Sequence, residues 1–155
     1  RQALSNPYTG VAAIFASRLM NRKPPVVFEN GFQMRDFVNV HDVVRANVLA
    51  MCSDGVDGMA VNVGSGEPVS IRQIASEISS MLGVQIPIEI SGRYRAGDIR
   101  HCYADISRIS RNLGYLPRVT LREGMAELVE WLRSQQAHDR TEEAMQHLAA
   151  RGLVA

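Results

Sequence analysis

Lysine is almost missing from this sequence. Of its 17 basic residues, Lys23 is the single lysine and the other sixteen are arginine. Net charge is only +1, which argues against a broad nucleic-acid surface, where one face is strongly basic. Cysteine is scarce as well. Cys52 and Cys102 stand alone, with no Cys-x-x-Cys and no Cys/His ligand spacing, so a zinc site is not expected. Both read as buried or neutral thiols of a reducing compartment, which places the chain in the cytoplasm. No apolar run approaches the length of a membrane span, and no signal peptide is expected. Neither nucleic acid, membrane nor metal is therefore an expected partner.

What is there is ordinary for a folded chain. The 155 residues suffice for one core, and 46% hydrophobic with 21% charged residues is the balance of a soluble globular protein. The arginines admit two explanations. One is genome composition. The other is that a few of them, at loop ends, make bidentate contacts to phosphate or carboxylate. The opening at Arg1, without methionine, is expected to fall inside something longer.

Strands and helices alternate along the chain, which indicates an α/β protein. Gly10 to Asn21 is helical in spacing and is ended by Pro24 and Pro25. "VVFENG" reads as a strand entering a turn at Asn30-Gly31, and "FVNV" as a second strand. "HDVVRANVLAMC" is an amphipathic helix with Asp42 placed to cap or favour its positive end. "MAVNVGSGEPVS" begins as a buried strand and breaks at Gly64 and Gly66. Ser70 and Gln73 have the spacing of a capping box, for a helix that stops at Gly83. "IPIEI" is a strand. Asp105 caps a short helix ending at Gly114, Thr120 and Glu123 open another, and Thr141 to Arg151 forms a polar, peripheral one.

Three stretches could carry chemistry. In "QMRDFVNVHD", Arg35 and Asp36 sit at a strand mouth, where α/β proteins collect ligand groups; a plain surface ion pair explains them too. In "VNVGSG", the glycines let the backbone approach a ligand or a neighbouring element, and Asn62 offers an amide. In "YRAGDIRH", Gly97 permits a tight loop with Arg95 and Asp98 on one side. Arg95 suits a diphosphate, and Asp98, which only accepts, suits ribose hydroxyls; internal ion pairing is the plain alternative. "NPYTG" adds Asn6 and Tyr8, and "PPVVF" adds an extended apolar segment able to pair with a base edge.

In this order the segments resemble the carboxyl-terminal half of the extended short-chain dehydrogenase/reductase family, the NAD-dependent nucleotide-sugar epimerases and dehydratases. The resemblance covers roughly residues 1–136, from "SNPYTGVAAIFASRLMN" through "PPVVFENGFQMRDFVNVHDVVRA" and "VNVGSGEPVSIRQIA" to "YRAGDIRHCYADISRISRNLGYLP". It implies partial Rossmann-type sheet elements plus the small α/β substrate-binding domain, with 137–155 as a peripheral helical tail. It implies that Arg35 and Arg95 hold a diphosphate and that Asp98 binds ribose. Asn62 would lie near ribose or phosphate. Val27 and Phe28 would line the base pocket, Val27 through its backbone, with Asn6 and Tyr8 close by. His41 and His101 read as structural. The implied ligand is a dTDP- or UDP-sugar, and the implied full-length enzyme is a homodimeric 4-epimerase.

The family's chemistry needs a glycine-rich dinucleotide loop and a Tyr-x-x-x-Lys pair. The twelve glycines form no such loop, and Leu19 stands four residues before the only lysine. NAD would therefore belong to an upstream half, and this portion alone is expected to be inactive. A dehydratase, reductase or decarboxylase of the same family is the alternative within enzymes. A non-catalytic binding module is the alternative outside them.

Overall fold

A computed structural model describes residues 10–154. Its elements run α1 (Val11–Met20), β1 (Val26–Val27), β2 (Met34–Asp36), α2 (Val40–Met51), a 3-10 turn (Asp54–Val56), β3 (Pro68–Ser70), α3 (Ile71–Leu82), β4 (Glu89–Ile90), β5 (His101–Cys102), α4 (Ser107–Leu113), α5 (Leu121–Leu132) and α6 (Thr141–Ala150). This is the mixed α/β architecture that the alternation predicts. Among the described residues no helix is long and apolar enough to cross a membrane.

The chain forms two compact units that interleave in sequence. Among the described residues unit 1 comprises 10–33, 70–100 and 125–154, and unit 2 comprises 34–69 and 101–124. In unit 1, β1 pairs parallel with β4, Val26 opposite Glu89 and Val27 opposite Ile90. Parallel strands cannot be joined by a tight turn, and here α3 leads into β4 from its own carboxyl end. Its apolar positions 74, 75 and 78 fall on one face by the i, i+3, i+4 rule and are fully buried. Helix α1 packs against α3, and Phe15 and Leu19 of α1, Val27 of β1, and Met125, Val129 and Leu132 of α5 are further buried apolar residues of unit 1.

Unit 1 also includes α6. Arg18 of α1 is 6% exposed; its Nε donates to the Pro24 carbonyl at 2.6 Å, and Nη1 reaches Asp139 at 3.5 Å and Glu142 at 3.1 Å. Lys23 joins the same pair of acids, at 3.0 Å from Asp139 and 3.3 Å from Glu142. Ala144 is buried. The segment read from sequence as peripheral is thus tied to α1 by ion pairs that are widely separated in sequence.

In unit 2, a three-stranded sheet has the order β3-β2-β5, with β2 parallel to β5 and Met34 opposite His101. The core gathers Ala46 of α2, Ile109 of α4 and Tyr115, with Leu49, Val61, Val63, Ile106 and Leu113 packed against them. The Tyr115 hydroxyl donates to the Gly64 carbonyl at 2.9 Å, so the buried ring carries a satisfied polar end. Burial first, then the nearby Asp42 carboxylate, raises the Tyr115 pKa above its ordinary 10.0.

Several local expectations hold in detail. Ser70 Oγ accepts from Gln73 N at 3.1 Å and opens α3. Thr120 and Glu123 form a reciprocal box: Thr120 N donates to Glu123 Oε2 at 2.8 Å, and Glu123 N donates to Thr120 Oγ1 at 3.3 Å. Asp105 Oδ1 accepts from Ser107 N at 2.9 Å, although the residue at the N-cap position of α4 is Ile106, one further on. Helices α3 and α4 stop at Gly83 and Gly114, both left-handed.

Others are corrected. The second strand is Met34–Asp36 rather than "FVNV", because its pairing register with β5 fixes it there. Asn39, freed from the strand, caps α2 by accepting from His41 N at 2.8 Å. Asp42 therefore does not cap; it lies in the first turn, where its charge favours the positive end of α2, and its buried carboxylate also serves another loop, described below. Residues 59–63 form no strand; Val61 and Val63 pack on the core from irregular backbone. Cys52 and Cys102 are exposed free thiols, so burial does not hold for either.

Candidate functional site

Parallel pairing sends the carboxyl ends of both strands the same way, and in α/β folds that edge is where ligands bind. Each unit has such an edge, and the two are built differently.

In unit 2 the edge is filled by protein. The Asp36 carboxylate, at the end of β2, accepts from Ser65 N at 2.8 Å, Ser65 Oγ at 2.7 Å, Gly66 N at 3.1 Å and Ala104 N at 3.3 Å. Its oxygens hold the 64–66 turn against the residues leaving β5. Gly64 has no room for a side chain: a Cβ there would lie 2.4 Å from Asp36 Oδ2 and 2.5 Å from Ala104 Cβ. Of the two readings of "VNVGSG", close approach to a neighbouring element is therefore the one observed. Arg35 is half-buried and donates from Nη1 to the Met34 carbonyl at 2.9 Å. Asn62 is exposed, and its Nδ2 donates to the Asp105 carbonyl at 3.3 Å.

A second carboxylate in unit 2, Asp42, has loop partners that the sequence reading missed. Asp42, 1% exposed, accepts from Arg118 N at 3.0 and 3.1 Å and from Val119 N at 3.1 Å. Arg45, one turn along α2, pairs with it at 2.9 Å, donates to the Leu116 carbonyl and stacks 5.6 Å over the Tyr115 ring. The loop amides are 76 and 77 residues away, so no local spacing could signal them.

In unit 1 the edge is open. Phe28 follows β1 directly, and the exposed 92–100 loop follows β4. The strand pairing continues into it: Ser91 N donates to the Val27 carbonyl at 2.9 Å and Glu29 N to the Arg93 carbonyl at 2.7 Å. Asp98 N closes a turn onto the Arg95 carbonyl at 3.1 Å, with Gly97 at φ +78. That left-handed backbone is the one glycine adopts without strain. The turn brings the Arg95 guanidinium 5.2 Å above the Phe28 ring.

This is the contact that the structure assembles from the predicted residues: one cation donor set on one aromatic face, at a parallel strand edge. Val27, by contrast, is fully buried, and its carbonyl is also approached by Ser91 Oγ at 3.2 Å. Its side chain packs in the core. Arg100 is matched by protein charge: it pairs with the Glu29 carboxylate and donates from Nη2 to Asn30 Oδ1 at 3.1 Å. The loop also accepts a backbone neighbour from the end of the chain. Arg95 bridges antiparallel to Val154, and Ala96 N donates to the Leu153 carbonyl at 3.0 Å. Asp98 is exposed at the same turn. Asn6 and Tyr8 lie outside the described residues.

A guanidinium with a planar donor fork suits an anion, and the half-buried aromatic ring beneath it suits a flat ring. No group of three His, Cys, Asp or Glu that could hold a metal occurs among the described residues.

Comparison with known proteins gives the same direction. A family model described as GDP-mannose 4,6 dehydratase matches residues 4–128. The dTDP-L-rhamnose 4-epimerase of Burkholderia thailandensis is 34% identical over 131 residues, covering 84% of this chain and 36% of that protein. The UDP-N-acetylglucosamine 4-epimerase of Methanobrevibacter ruminantium, solved with UDP-N-acetylmuramic acid, superposes with a TM-score of 0.79. It is 33% identical and covers 88% of this chain and 43% of that one. The UDP-glucose 4-epimerase of Thermus thermophilus, solved with NAD, gives a TM-score of 0.72 at 27% identity, covering 84% and 43%. This chain thus spans less than half the length of these relatives.

Proposed function

The chain belongs to the family of GDP-mannose 4,6 dehydratase and the nucleotide-sugar epimerases, the extended short-chain dehydrogenase/reductases, and on that premise we propose that it is the nucleotide-sugar-holding portion of a 4-epimerase. The observation that carries the reading is Arg95 stacked over Phe28 at the open end of the β1–β4 pair. Arg95 would give its donors to a diphosphate oxygen, Phe28 its ring face to the base, and Asp98 its acceptors to ribose hydroxyls. In unit 2, Arg35 and Asn62 are the further donors to test. The relatives act on both dTDP- and UDP-sugars, and a dTDP-sugar is the substrate proposed here.

Residues 1–155 do not fit NAD. They contain neither the glycine-rich loop whose backbone cradles a pyrophosphate nor a Tyr-x-x-x-Lys pair. No hydride step is therefore assigned to this chain. Its contribution to an epimerase would be to anchor the part of the substrate that does not react. Binding energy placed on the diphosphate positions a sugar ring that must be free to turn.

Calorimetry with dTDP-, UDP- and GDP-sugars tests this. A complex weakened about tenfold by Arg95→Ala, the loss of one charge-assisted contact, is the expected result. Arg35→Ala, Phe28→Ala, Asn62→Ala and Asp98→Ala, measured singly, assign the remaining roles. Affinity unchanged by both arginine substitutions would remove the reading.

A further inference from the structure

The chain leaves α6 by a sharp turn. Gly152 has φ +65, the left-handed geometry that glycine adopts without strain. Its N–H donates to the Ala149 carbonyl at 3.0 Å, and Leu153 N donates to the Leu148 carbonyl at 2.9 Å. That pair of bonds is the Schellman stop, which closes a helix and sends the backbone off in a new direction. Here the new direction brings Leu153 and Val154 alongside the 92–100 loop. Arg95 bridges antiparallel to Val154, and Ala96 N donates to the Leu153 carbonyl at 3.0 Å. Ala96 lies between Arg95, whose guanidinium stacks over Phe28, and Gly97 at the turn.

The tail is fixed at its other end too. Asp139 and Glu142, at the start of α6, pair with Arg18 of α1 and with Lys23 just after it, and Ala144 is buried. Ten residues of helix span about 15 Å, so α6 runs as a stiff strut from those ion pairs to the loop. All of these residues belong to unit 1. The start of the loop is held by β1, through Glu29 N and the Arg93 carbonyl. Residues 94–100 are exposed, so core packing does little to fix the path that carries Arg95. The tail supplies backbone pairing at that point. The family match covers residues 4–128 and does not include this contact.

We infer that Leu153 and Val154 are positioning residues for the nucleotide-sugar site: their pairing with Arg95 and Ala96 holds the Arg95 guanidinium over Phe28 before any ligand arrives. This rests on the role proposed for Arg95 in holding a diphosphate. A loop ordered in advance loses less entropy on binding. Leaving one backbone residue to be ordered by the ligand weakens a complex about tenfold.

Deletion of residues 153–155 tests this, with the parent, Arg95→Ala and the combined variant alongside. The thermal midpoint is expected to stay within a few degrees, since Leu153 is 40% exposed and the α6 ion pairs remain. A large drop would mean that the tail supports the whole unit, and would overturn the proposal. Without ligand, nuclear magnetic resonance reads the geometry. In the parent, the Phe28 ring should shift the Arg95 side-chain protons upfield, and the Ala96 amide should exchange slowly. Deletion should abolish the shift and speed that exchange at least tenfold. Protons equally shifted in both chains would refute the positioning. Calorimetry with a dTDP-sugar reads the consequence. Deletion should weaken binding about tenfold in the parent but less than threefold in Arg95→Ala, because the tail acts through that side chain. Equal losses in the two backgrounds, or no loss in the parent, would also refute it. Affinity indifferent to Arg95→Ala would instead remove the nucleotide-sugar reading, and the ligand-free spectra would still decide whether the tail positions Arg95.

Discussion

A methyl group on Gly64 would meet Asp36 Oδ2 at 2.4 Å and Ala104 Cβ at 2.5 Å. Neither neighbour is the loose end of a long side chain, so the turn must move. Gly64→Ala is expected to destabilise unit 2 by about 2–3 kcal/mol, the range for overpacking, as read from urea unfolding. Gly58→Ala is the comparison, because nothing lies within 4 Å of its Cβ and only its backbone φ of +71 is at stake. A smaller loss there would assign the Gly64 effect to crowding rather than to conformation. Asp36 tests the same turn from the other side. It accepts from three backbone amides and one hydroxyl, and Asp36→Ala strands the amides, while the Ser65 hydroxyl keeps the Glu67 carbonyl at 3.3 Å. A loss of about 2–4 kcal/mol is expected, since each buried orphan costs about 1–3 kcal/mol and some of these can reach water. Because Asp36 holds the turn, nucleotide-sugar affinity should fall no further than stability does.

The helices differ in what holds their ends. Helix α5 carries its own signal: the Thr120–Glu123 box needs only four consecutive residues. The Thr120 hydroxyl and then its amide hold the Glu123 carboxyl below its ordinary 4.5. Thr120→Ala should cost about 1 kcal/mol, the usual worth of such a cap, measured by thermal unfolding. Helix α6 depends on contacts from far along the chain. Burial opposes ionisation of Asp139, but the Thr141 hydroxyl, Lys23, the Thr141 amide and Arg18 outweigh it and hold the carboxyl below its ordinary 3.8. A carboxyl depressed in the folded state contributes stability that is present above its unfolded value and is lost as pH falls through the folded one. The melting temperature should therefore drop on acidification below about pH 4, and Asp139→Asn should lower it at pH 7 while flattening that drop. An acid limb as steep in the variant as in the parent would acquit Asp139.

At the scale of the molecule, two compact units alternate along one chain, and this chain spans less than half of its relatives. The isolated 155 residues, given NAD and a nucleotide sugar, are expected to show no interconversion by product chromatography, because the motifs that cradle the dinucleotide and exchange the proton are not among them. Any turnover by the pure chain would contradict the division of labour proposed here. Much of the candidate site was legible: "YRAGDIRH" marks a loop with a glycine at its turn, and the structure gives that loop Gly97 at φ +78 with Arg95 above Phe28. The use of Asp36 and Asp42 was not legible. Each looked like a surface or capping carboxylate, and each anchors distant amides: Asp36 those 29, 30 and 68 residues on, Asp42 those 76 and 77 residues on.

The sequence by itself determined where most helices start and stop, α2 excepted at its start, which α/β class they build, and the family. Those follow from side chains acting on backbone within three or four residues, and from motifs kept in order. Only the tertiary structure decided the strand register, the turn that Asp36 closes, and the ion pairs that bind α6 to α1. Each depends on groups brought together from far apart in the chain, where the energy of a contact is set by geometry in space and leaves no trace in local spacing.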